Sequence, residues 1–243
     1  MLKYFVLKTL GIFDFYHQFK IFRFLKKNNL KDFDIFFDIG AHKGESINLF
    51  LKNLNINKIY SFESSPLNYL ELKNNLPKLQ KRFKKTIINI NNLTLGSENK
   101  QGIIKQIDES SSSTLNNINV NSKYFKRKKA LVYNKNSQKF YKEIKISIST
   151  LSNYLEENGI DQVDFIKIDT EGYEYKILKG LNKNFEKVKI IMFEHHYHDM
   201  LEKGYTFTDI HRLLSRNHFT QFFKAKMPFR KTFEYIYINK DRM

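Results

Sequence analysis

The sequence contains no cysteine and no tryptophan, and it is poor in glycine and proline, with nine and three of these among 243 residues. The lack of cysteine excludes disulfides, zinc–thiolate sites, iron–sulfur clusters and cysteine nucleophiles. It also fits a reducing compartment, and we predict a cytoplasmic location. Hydrophobic residues make up 41% and aromatic residues 15% of the chain, so it has material for a large core and is not disordered throughout.

Acidic residues are few: 25 Asp and Glu face 42 Lys and Arg, which gives a formal net charge of +17. Such an excess is typical of proteins that bind nucleic acid or an anionic membrane. Lysine contributes 35 of the basic residues and arginine only seven, whereas phosphate-binding sites favour the planar, bidentate guanidinium of arginine. The joint abundance of Lys, Asn, Ile and Phe indicates codon usage rich in A and T. We therefore do not expect a nucleic-acid partner.

Long apolar runs are missing from the N-terminal 30 residues, where charged side chains such as Lys3, Lys8 and Asp14 interrupt a stretch rich in Phe, Leu and Ile. A spanning helix needs about 18 consecutive apolar residues, and no small-residue cleavage site of a signal peptide follows. We predict one or two amphipathic helices over residues 1–30. Two roles stay open: a cap packed on the domain, or peripheral contact with a membrane, since basic and aromatic helices favour that interface.

Short apolar runs alternate with helical periodicity from residue 33 onward. The run over residues 34–39 predicts a buried strand that ends at Gly40, and helical spacing follows over residues 47–54. Ser65 and Pro66 are typical of the N-cap and first position of a helix. Further strands are predicted at 58–62, 86–90, 163–168 and 188–193, and an antiparallel hairpin at 218–223 and 233–238. The pattern predicts one α/β domain of about seven mostly parallel strands.

The stretch between residues 95 and 150 breaks this rhythm with serines, asparagines and a basic run over residues 126–129. We predict short antiparallel strands within it, and a solvated turn for the basic run. We treat residues 97–145 as a variable region inserted in a domain that spans residues 31–243, behind the helical extension of residues 1–30. A connection this long is either disordered or functional, often as a lid.

Polar residues at the ends of the predicted strands form the candidate site, because ligands of open α/β sheets bind at the carboxyl ends of strands. The first strand runs into DIGAHKG, residues 38–44, whose glycines permit a sharp turn and close approach of a ligand. Glu63 ends the second strand, where a carboxylate can accept both hydroxyls of a ribose. The glycine spacing departs from the GxGxxG of dinucleotide folds. Asp38 would repel a pyrophosphate but suits ammonium and sulfonium groups, which favours S-adenosylmethionine over NAD.

A mostly parallel sheet with an antiparallel last strand matches class I methyltransferases, which have a Rossmann-like fold. The sequence resembles the FkbM-type methyltransferases, S-adenosylmethionine-dependent enzymes that mostly methylate hydroxyls of natural products or glycans. The motifs that carry the resemblance are FDIGAHKG (37–44), SFE (61–63), TLG (94–96), VDFIKIDTEGYE (163–174), LKG (178–180) and IMFE (191–194). The block over residues 163–174 is the most distinctive, and the resemblance covers roughly residues 33–200.

The resemblance implies where the cofactor binds. The predicted cofactor-binding residues are Asp38, Gly40, His42, Gly44, Glu63, Asn91 and Asn92. Those of the first loop would line the methionine end, with His42 over the cofactor or the substrate. Glu63 would hold the ribose, and one of the two asparagines is the candidate for the adenine edge.

The candidates for catalysis follow the fourth and fifth long strands: Asp169, Glu171, Glu194 and His195. Methyl transfer to a hydroxyl is an in-line displacement that needs alignment and removal of a proton. Asp169 is our first choice of base because it stands at the strand end, whereas Glu171 can brace the loop and Glu174 can cap the next helix. No metal site is predicted, since adjacent histidines on an extended segment face opposite sides.

We predict an O-methyltransferase that acts on a hydroxyl of a glycan, sugar or other small natural product. Two alternatives stay open. A nucleic-acid methyltransferase would use the net charge and the basic run over residues 126–129. However, cytosine-C5 chemistry needs a cysteine, and amino-group enzymes typically carry Asn/Asp-Pro-Pro-aromatic where this chain has DTEG (169–172). A non-catalytic module at a membrane would use residues 1–30.

Overall fold

The computed structural model describes residues 16–107, 113–132 and 141–242. The strands, in chain order, are β1 (Asp32–Ile39), β2 (Asn55–Phe62), β3 (Ile87–Asn91), β4 (Thr94–Gly96), β5 (Lys100–Ile107), β6 (Asn117–Ile118), β7 (Tyr141–Thr150), β8 (Val163–Ile168), β9 (Val188–His196), β10 (Leu201–Glu202), β11 (Phe219–Lys226) and β12 (Thr232–Asn239). The helices are α1 (16–27), α2 (Glu45–Asn53), α3 (Pro66–Arg82), α4 (Lys123–Val132), α5 (Leu151–Glu157), α6 (Glu174–Lys179) and α7 (Phe207–Arg216). Two 3₁₀ helices span Asn182–Lys187 and Lys240–Arg242.

Seven strands form the main sheet in the order β11-β12-β9-β8-β1-β2-β3. Strands β3, β2, β1, β8 and β9 are parallel, and β12 is antiparallel to both β9 and β11. The predicted α/β fold with its Rossmann-like, mostly parallel sheet and antiparallel C-terminal hairpin is confirmed. The hairpin turns inward, so the last strand, β12, lies between β9 and β11.

The central strands are buried on both faces, which explains their nearly continuous apolar runs. Phe36 of β1 stacks on Phe165 of β8, with 4.8 Å between ring centroids, on the face covered by α1, α2 and α3. Phe37 points to the opposite face, where it meets Tyr154 of α5 edge to face. A hydrophobic core thus covers each face of the main sheet. The carboxyl ends of the parallel strands lie at the same edge of this sheet.

The N-terminal helix α1 packs on the main domain. Ile21, Phe22 and Leu25 are buried, and Phe22 meets Phe50 of α2 with 5.5 Å between ring centroids. Residues 16–27 thus form the cap that was one of the two predicted roles of this region. The rest of the predicted extension, residues 1–15, lies outside the described residues. In the described part of the chain, no helix combines the length and the apolar character that crossing a membrane requires.

The middle of the chain folds into small sheets of its own. Strands β4, β7 and β5 form a three-stranded sheet in which β5 and β7 are antiparallel, as predicted. Strand β6 pairs with β10, and Phe125 of α4 is buried against Met200 and Leu201. The inserted region is thereby held against the segment that follows β9, beside the carboxyl ends of the main sheet.

The basic run over residues 126–129 belongs to helix α4, so the predicted turn is wrong. Ser122 starts the helix, because its hydroxyl accepts a hydrogen bond of 3.0 Å from the amide of Phe125. Lys126 and Arg127 are exposed, in agreement with the predicted solvation.

Candidate active site

A cleft of about 250 Å³ opens at the carboxyl ends of β1, β2 and β8. Five predicted site residues line it: Gly40, His42, Glu63, Asp169 and Glu171. The other lining residues are Ala41, Glu45, Ser46, Ser64, Asn68, Ile104, Ser113, Leu115, Lys167 and Thr170. Ile104, Ser113 and Leu115 come from the inserted region, so the insert forms one wall of the cleft.

The loop after β1 lies directly against the loop after β8. The amide of Asp169 donates a hydrogen bond of 3.0 Å to the carbonyl of Ile39. Gly40 has a φ of +86°, and a Cβ atom there would lie 1.9 Å from the carbonyl oxygen of Asp169. Only glycine fits between the two loops, because a side chain would clash with backbone and would disfavour this φ.

Glu63 is buried at the end of β2, and backbone amides hold its carboxylate. Oε2 accepts from the amide of His42 at 2.8 Å, and Oε1 accepts from the amide of Ser65 at the same distance. Burial raises the pKa of Glu63, although these hydrogen bonds counteract the shift. The side chain of Asn68 also hydrogen-bonds this carboxylate, so about one of its roughly four acceptor sites is left for a ligand in the cleft.

A buried lysine joins two of the predicted carboxylates. The Nζ atom of Lys167 lies 3.4 Å from Oδ1 of Asp38 and 3.4 Å from Oδ2 of Asp169. Burial opposes the charged form of Lys167, but the two carboxylates outweigh it and the pKa of the ammonium is raised. Asp38 is fully buried beneath the cleft and also accepts a hydrogen bond from the hydroxyl of Ser46.

The carboxyl groups of Asp169 and Glu194 are hydrogen-bonded to each other. Burial, the charges of Asp169 and Glu171 and a hydrogen bond to Asp169 raise the pKa of Glu194 well above its ordinary value. Partial removal of water would raise the pKa of Asp169, but Lys167 and the hydrogen bond with Glu194 lower it below its ordinary value. The proton therefore resides on Glu194, and Asp169 is an ionised hydrogen-bond acceptor whose side chain is 38% exposed at the cleft.

Glu171 has the left-handed backbone conformation, with a φ of +49° that is uncommon outside glycine. Two side chains of the insert hold its carbonyl oxygen: the hydroxyl of Thr114 donates at 2.8 Å and the amide of Asn116 at 3.4 Å. Its carboxylate lies 3.4 Å from Nε2 of His196, measured from Oε2. The inserted region and strand β9 together fix the position of Glu171.

Glu174 braces the loop that carries Glu171. Its Oε1 atom accepts from the amide of Gly172 at 2.9 Å and from the amide and hydroxyl of Thr170 at 3.3 Å. Its other oxygen accepts from the hydroxyl of Tyr205 at 2.6 Å. The contacts of Glu174 therefore lie in the preceding loop, and bracing, the role that we considered for Glu171, is performed by Glu174.

Six predicted residues do not line the cleft: Asp38 and Glu194, which contact its lining residues from below, and His195, Asn91, Asn92 and Gly44. His195 points to the opposite face of β9 from Glu194 and His196, among the rings of Tyr197, Tyr205 and Phe207. The alternation of side chains along a strand explains this placement. Burial, with the charges of Lys203 and His196, lowers the pKa of His195 to about 3.

The two asparagines hold the strand ends. The side-chain amide of Asn92 donates to the carbonyl of Glu63 at 2.8 Å, and that of Asn91 donates to the carbonyl of Ser61 at 3.3 Å. Gly44 has a φ of +97° and packs against the side chains of α3 beside the helix start. Among the residues that the structure describes, no three His, Asp or Glu side chains converge as a metal site would require.

The family model described as the methyltransferase FkbM domain matches residues 38–220 of the sequence. This chain belongs to the FkbM methyltransferase family. The predicted cofactor, S-adenosylmethionine, is confirmed at the level of this family. Comparison with curated proteins finds no significant match to this sequence.

Solved structures share the fold of this FkbM family member at low sequence identity. A methyltransferase FkbM from Methylobacillus flagellatus KT aligns with a TM-score of 0.53 and 16% identity, over 85% of this chain and 43% of that chain. Magnesium protoporphyrin IX methyltransferase (ChlM) from Synechocystis PCC 6803 with bound SAH gives 0.52 and 10%, over 97% and 88%. An rRNA methylase from Streptococcus thermophilus gives 0.50 and 10%, over 90% and 94%. This chain spans less than half the length of the first of these.

Two further functional candidates of this FkbM family member, Lys167 and His196, are not among the residues predicted from the sequence. Lys167 lies within a buried strand two positions before Asp169, and an ionisable residue at such a place is a signal for a paired charge. His196 shares the face of Glu194 because the two are two residues apart on β9. The same alternation excludes His195 from that face, so the choice between the adjacent histidines could have been made from the sequence.

Proposed function

We propose that this chain is an S-adenosylmethionine-dependent methyltransferase that methylates a hydroxyl group of a glycan, a sugar or another small natural product. The observation that carries the proposal is the cleft in which Glu63 on one side faces Asp169 and Glu171 on the other. This arrangement combines a carboxylate suited to a ribose with carboxylates suited to a cationic group and to a hydroxyl proton.

The residues of the cleft fit the cofactor. Glu63 retains an acceptor site for a ribose hydroxyl beside the hydrogen bonds that it accepts from His42, Ser65 and Asn68. Oδ1 of Asp38 is fully buried and has no hydrogen bond among the described residues, its nearest cation being Lys167 at 3.4 Å. Such an oxygen, together with the ionised Asp169, suits the positively charged methionine end. When bound, S-adenosylmethionine supplies an electrophilic methyl group on a sulfonium.

The protein must remove the proton of the acceptor hydroxyl. Asp169 is a weak base, because Lys167 and Glu194 hold the pKa of its carboxyl below the ordinary value. Glu171 lines the same cleft, and no lysine among the described residues pairs with its carboxylate, so we assign it the role of general base. Asp169 is assigned the role of orienting the hydroxyl and balancing positive charge.

A small acceptor is favoured by the inserted region, which supplies one wall of the cleft. Strand β6 and helix α4 pack on the segment after β9, and Thr114 and Asn116 hold the loop that carries Glu171. These contacts restrict the volume next to the proposed base. The exposed basic residues Lys126 and Arg127 of α4 would be the feature used by a nucleic acid, so RNA is included in the test.

The test has two stages. Calorimetry should detect S-adenosylmethionine binding to the full chain, with the Asp38→Ala variant impaired. The chain is then incubated with methyl-labelled cofactor and separate pools of glycans, free sugars, lipids and RNA, and products are examined by mass spectrometry for the gain of a methyl group. Labelled hydroxyl products that disappear in Glu171→Gln would support the proposal. Absence of cofactor binding, or labelling of RNA alone, would overturn it.

A further inference from the structure

His196 is a buried histidine that joins three elements at the edge of the cleft. It is only 5% exposed at the end of β9. Its Nδ1 atom lies 3.1 Å from the hydroxyl oxygen of Thr232, on the neighbouring strand β12. Its Nε2 atom is buried and has no hydrogen-bond partner among the described residues, and it lies 3.4 Å from Oε2 of Glu171 and 3.7 Å from Oε1 of Glu194. No feature of the sequence motifs assigns a role to either His196 or Thr232.

The two ring nitrogens of His196 face partners of different kinds. A carboxylate such as that of Glu171 only accepts hydrogen bonds, whereas a hydroxyl both donates and accepts. The arrangement that satisfies both sides places the hydrogen on Nε2, directed at Glu171, and lets the hydroxyl of Thr232 donate to Nδ1. The hydrogen-bond partner of one ring nitrogen thereby determines whether the other ring nitrogen carries the hydrogen.

The contact with His196 would restrict the side-chain torsions of Glu171. Its backbone is held through the carbonyl oxygen by Thr114 and Asn116, but these contacts leave the side-chain torsions free. A hydrogen bond from the unpartnered Nε2 of His196 to Oε2, across the present separation of 3.4 Å, would fix the carboxylate plane and leave Oε1 for the cleft. Effective proton transfer depends on such positioning, because the base must stand within hydrogen-bond reach of the hydroxyl.

We propose that His196 is the positioning residue of the general base Glu171, and that Thr232, by donating to Nδ1, stabilises the tautomer of His196 that carries its hydrogen on Nε2. This inference rests on the proposed function, in which Glu171 removes a proton from the acceptor hydroxyl. The chain Thr232–His196–Glu171 runs from β12 through β9 to the loop after β8. Glu171 lines the cleft and His196 does not, so His196 contacts Glu171 from the side away from the cleft.

Variants of Thr232 distinguish positioning from packing. Thr232→Ser keeps the hydroxyl and loses a methyl group, whereas Thr232→Val keeps the volume and loses the hydroxyl. If Thr232 acts through His196, the serine variant should retain most of kcat and the valine variant should lose roughly tenfold or more, in line with the loss of part of a general-base contribution. If Thr232 only packs, the valine variant should be the more active of the two.

Variants of His196 test the same chain from its centre. His196→Gln retains an N–H donor that can reach Glu171, and His196→Phe has none, so kcat should fall in the order wild type, Gln, Phe. The KM for S-adenosylmethionine should stay unchanged, because Glu63 and the first loop are untouched. His218→Gln, at an exposed histidine paired with Asp241, is the matched control and should retain wild-type kcat.

Nitrogen NMR of the free protein supplies a measurement that needs no acceptor. At alkaline pH the ring of His196 should show a protonated Nε2 and an unprotonated Nδ1, and Thr232→Val should disturb this state while Thr232→Ser preserves it. A hydrogen on Nδ1 of the wild type, or equal kcat in all four variants, would overturn the inference. A wild type that methylates no hydroxyl would instead overturn the proposed function, and the NMR result would still decide the contact.

Discussion

His17 of helix α1 and Glu234 of strand β12 form a buried pair, with 2.9 Å between Nε2 and Oε2. The side chains are 1% and 7% exposed. Strand register places Glu234 directly opposite Glu194, so this pair connects the N-terminal helix to the row of charged groups behind the cleft. Packing of α1 therefore gives the carboxyl group of Glu234 a hydrogen-bond partner, without which this group would be buried unpaired.

Removing His17 should destabilise the protein far more than removing an exposed histidine of similar pairing. His17→Ala leaves the buried carboxyl group of Glu234 without its hydrogen-bond partner, and we expect a loss of about 1–3 kcal/mol in the free energy of unfolding. The control His218→Ala breaks an exposed pair with Asp241 and should cost less than about 1 kcal/mol. Urea unfolding of both variants measures the difference, and equal losses would contradict the structural role of the buried pair.

Gly40 and Gly159 test the close approach of the two loops. Both have positive φ values, of +86° and +59°, but a Cβ atom on Gly159 would meet nothing within 4 Å. Gly159→Ala should therefore cost about 1–2 kcal/mol from backbone conformation alone. Gly40→Ala adds a clash with the carbonyl of Asp169 and should cost more and abolish S-adenosylmethionine binding. Thermal unfolding and calorimetry check both effects, and intact cofactor binding in Gly40→Ala would refute the argument.

The local features of the fold could be predicted from the sequence because they depend on neighbouring residues. Ser65 and Pro66 were expected to begin a helix, and the side chain of Ser65 does accept a hydrogen bond from the amide of Asn68. The apolar run before Gly40 was expected to be a buried strand, and β1 lies at the centre of the sheet. Hydrophobic periodicity and capping chemistry are properties of short segments.

The contacts that shape the site could not be predicted in this way, because they join distant parts of the chain. The carbonyl of Glu171 is held by Thr114, 57 positions away, and His17 pairs with Glu234 across 217 positions. Such pairs depend on strand register and on the path of the inserted region. The place of Asp169 at the strand end favours it as the base, whereas its ion pair with Lys167, which lies two positions earlier in strand β8, is visible only in the structure.

His195 should make stability depend on pH. Burial lowers its pKa to about 3, so the unfolded chain binds a proton below the ordinary value of about 6.5 that the folded chain does not bind. Stability is therefore fully present above pH 6.5 and is lost as the pH falls towards 3, by up to about 1.4 kcal/mol for each pH unit. His195→Phe, which suits the surrounding rings, should reduce this slope and keep methyl transfer intact. Urea unfolding at several pH values tests the slope, and a large loss of kcat would restore His195 as a catalytic candidate.

Glu63→Gln should weaken cofactor binding more than about tenfold, which corresponds to about 1.4 kcal/mol. The new amide group must direct a donor at the backbone amide of His42 or of Ser65, each of which now donates to the carboxylate at 2.8 Å. Titration calorimetry at mildly alkaline pH is appropriate, because burial raises the pKa of Glu63. Glu157→Gln, at the exposed last position of α5, is the control and should bind the cofactor as the wild type does.

Thr114 tests whether the inserted region takes part in catalysis through the backbone of Glu171. Its hydroxyl donates to the carbonyl of Glu171 at 2.8 Å and also accepts from the amide of Asn116 at 3.1 Å. Valine has nearly the same shape but can form neither bond. The left-handed conformation of Glu171 costs on the order of 1–3 kcal/mol and persists only while its surroundings hold it. Thr114→Val should therefore let this loop relax and move the proposed base.

The expected result of Thr114→Val is a fall in kcat of about tenfold with S-adenosylmethionine affinity unchanged, since a small misplacement of a base is costly while the residues around Glu63 are untouched. Thr208→Val, at an exposed position in the first turn of α7, is the matched control and should leave both quantities at wild-type values. Steady-state kinetics and calorimetry separate the two effects. If kcat and cofactor affinity fell together, Thr114 would support the cleft as a whole, and the insert would have no separate link to Glu171.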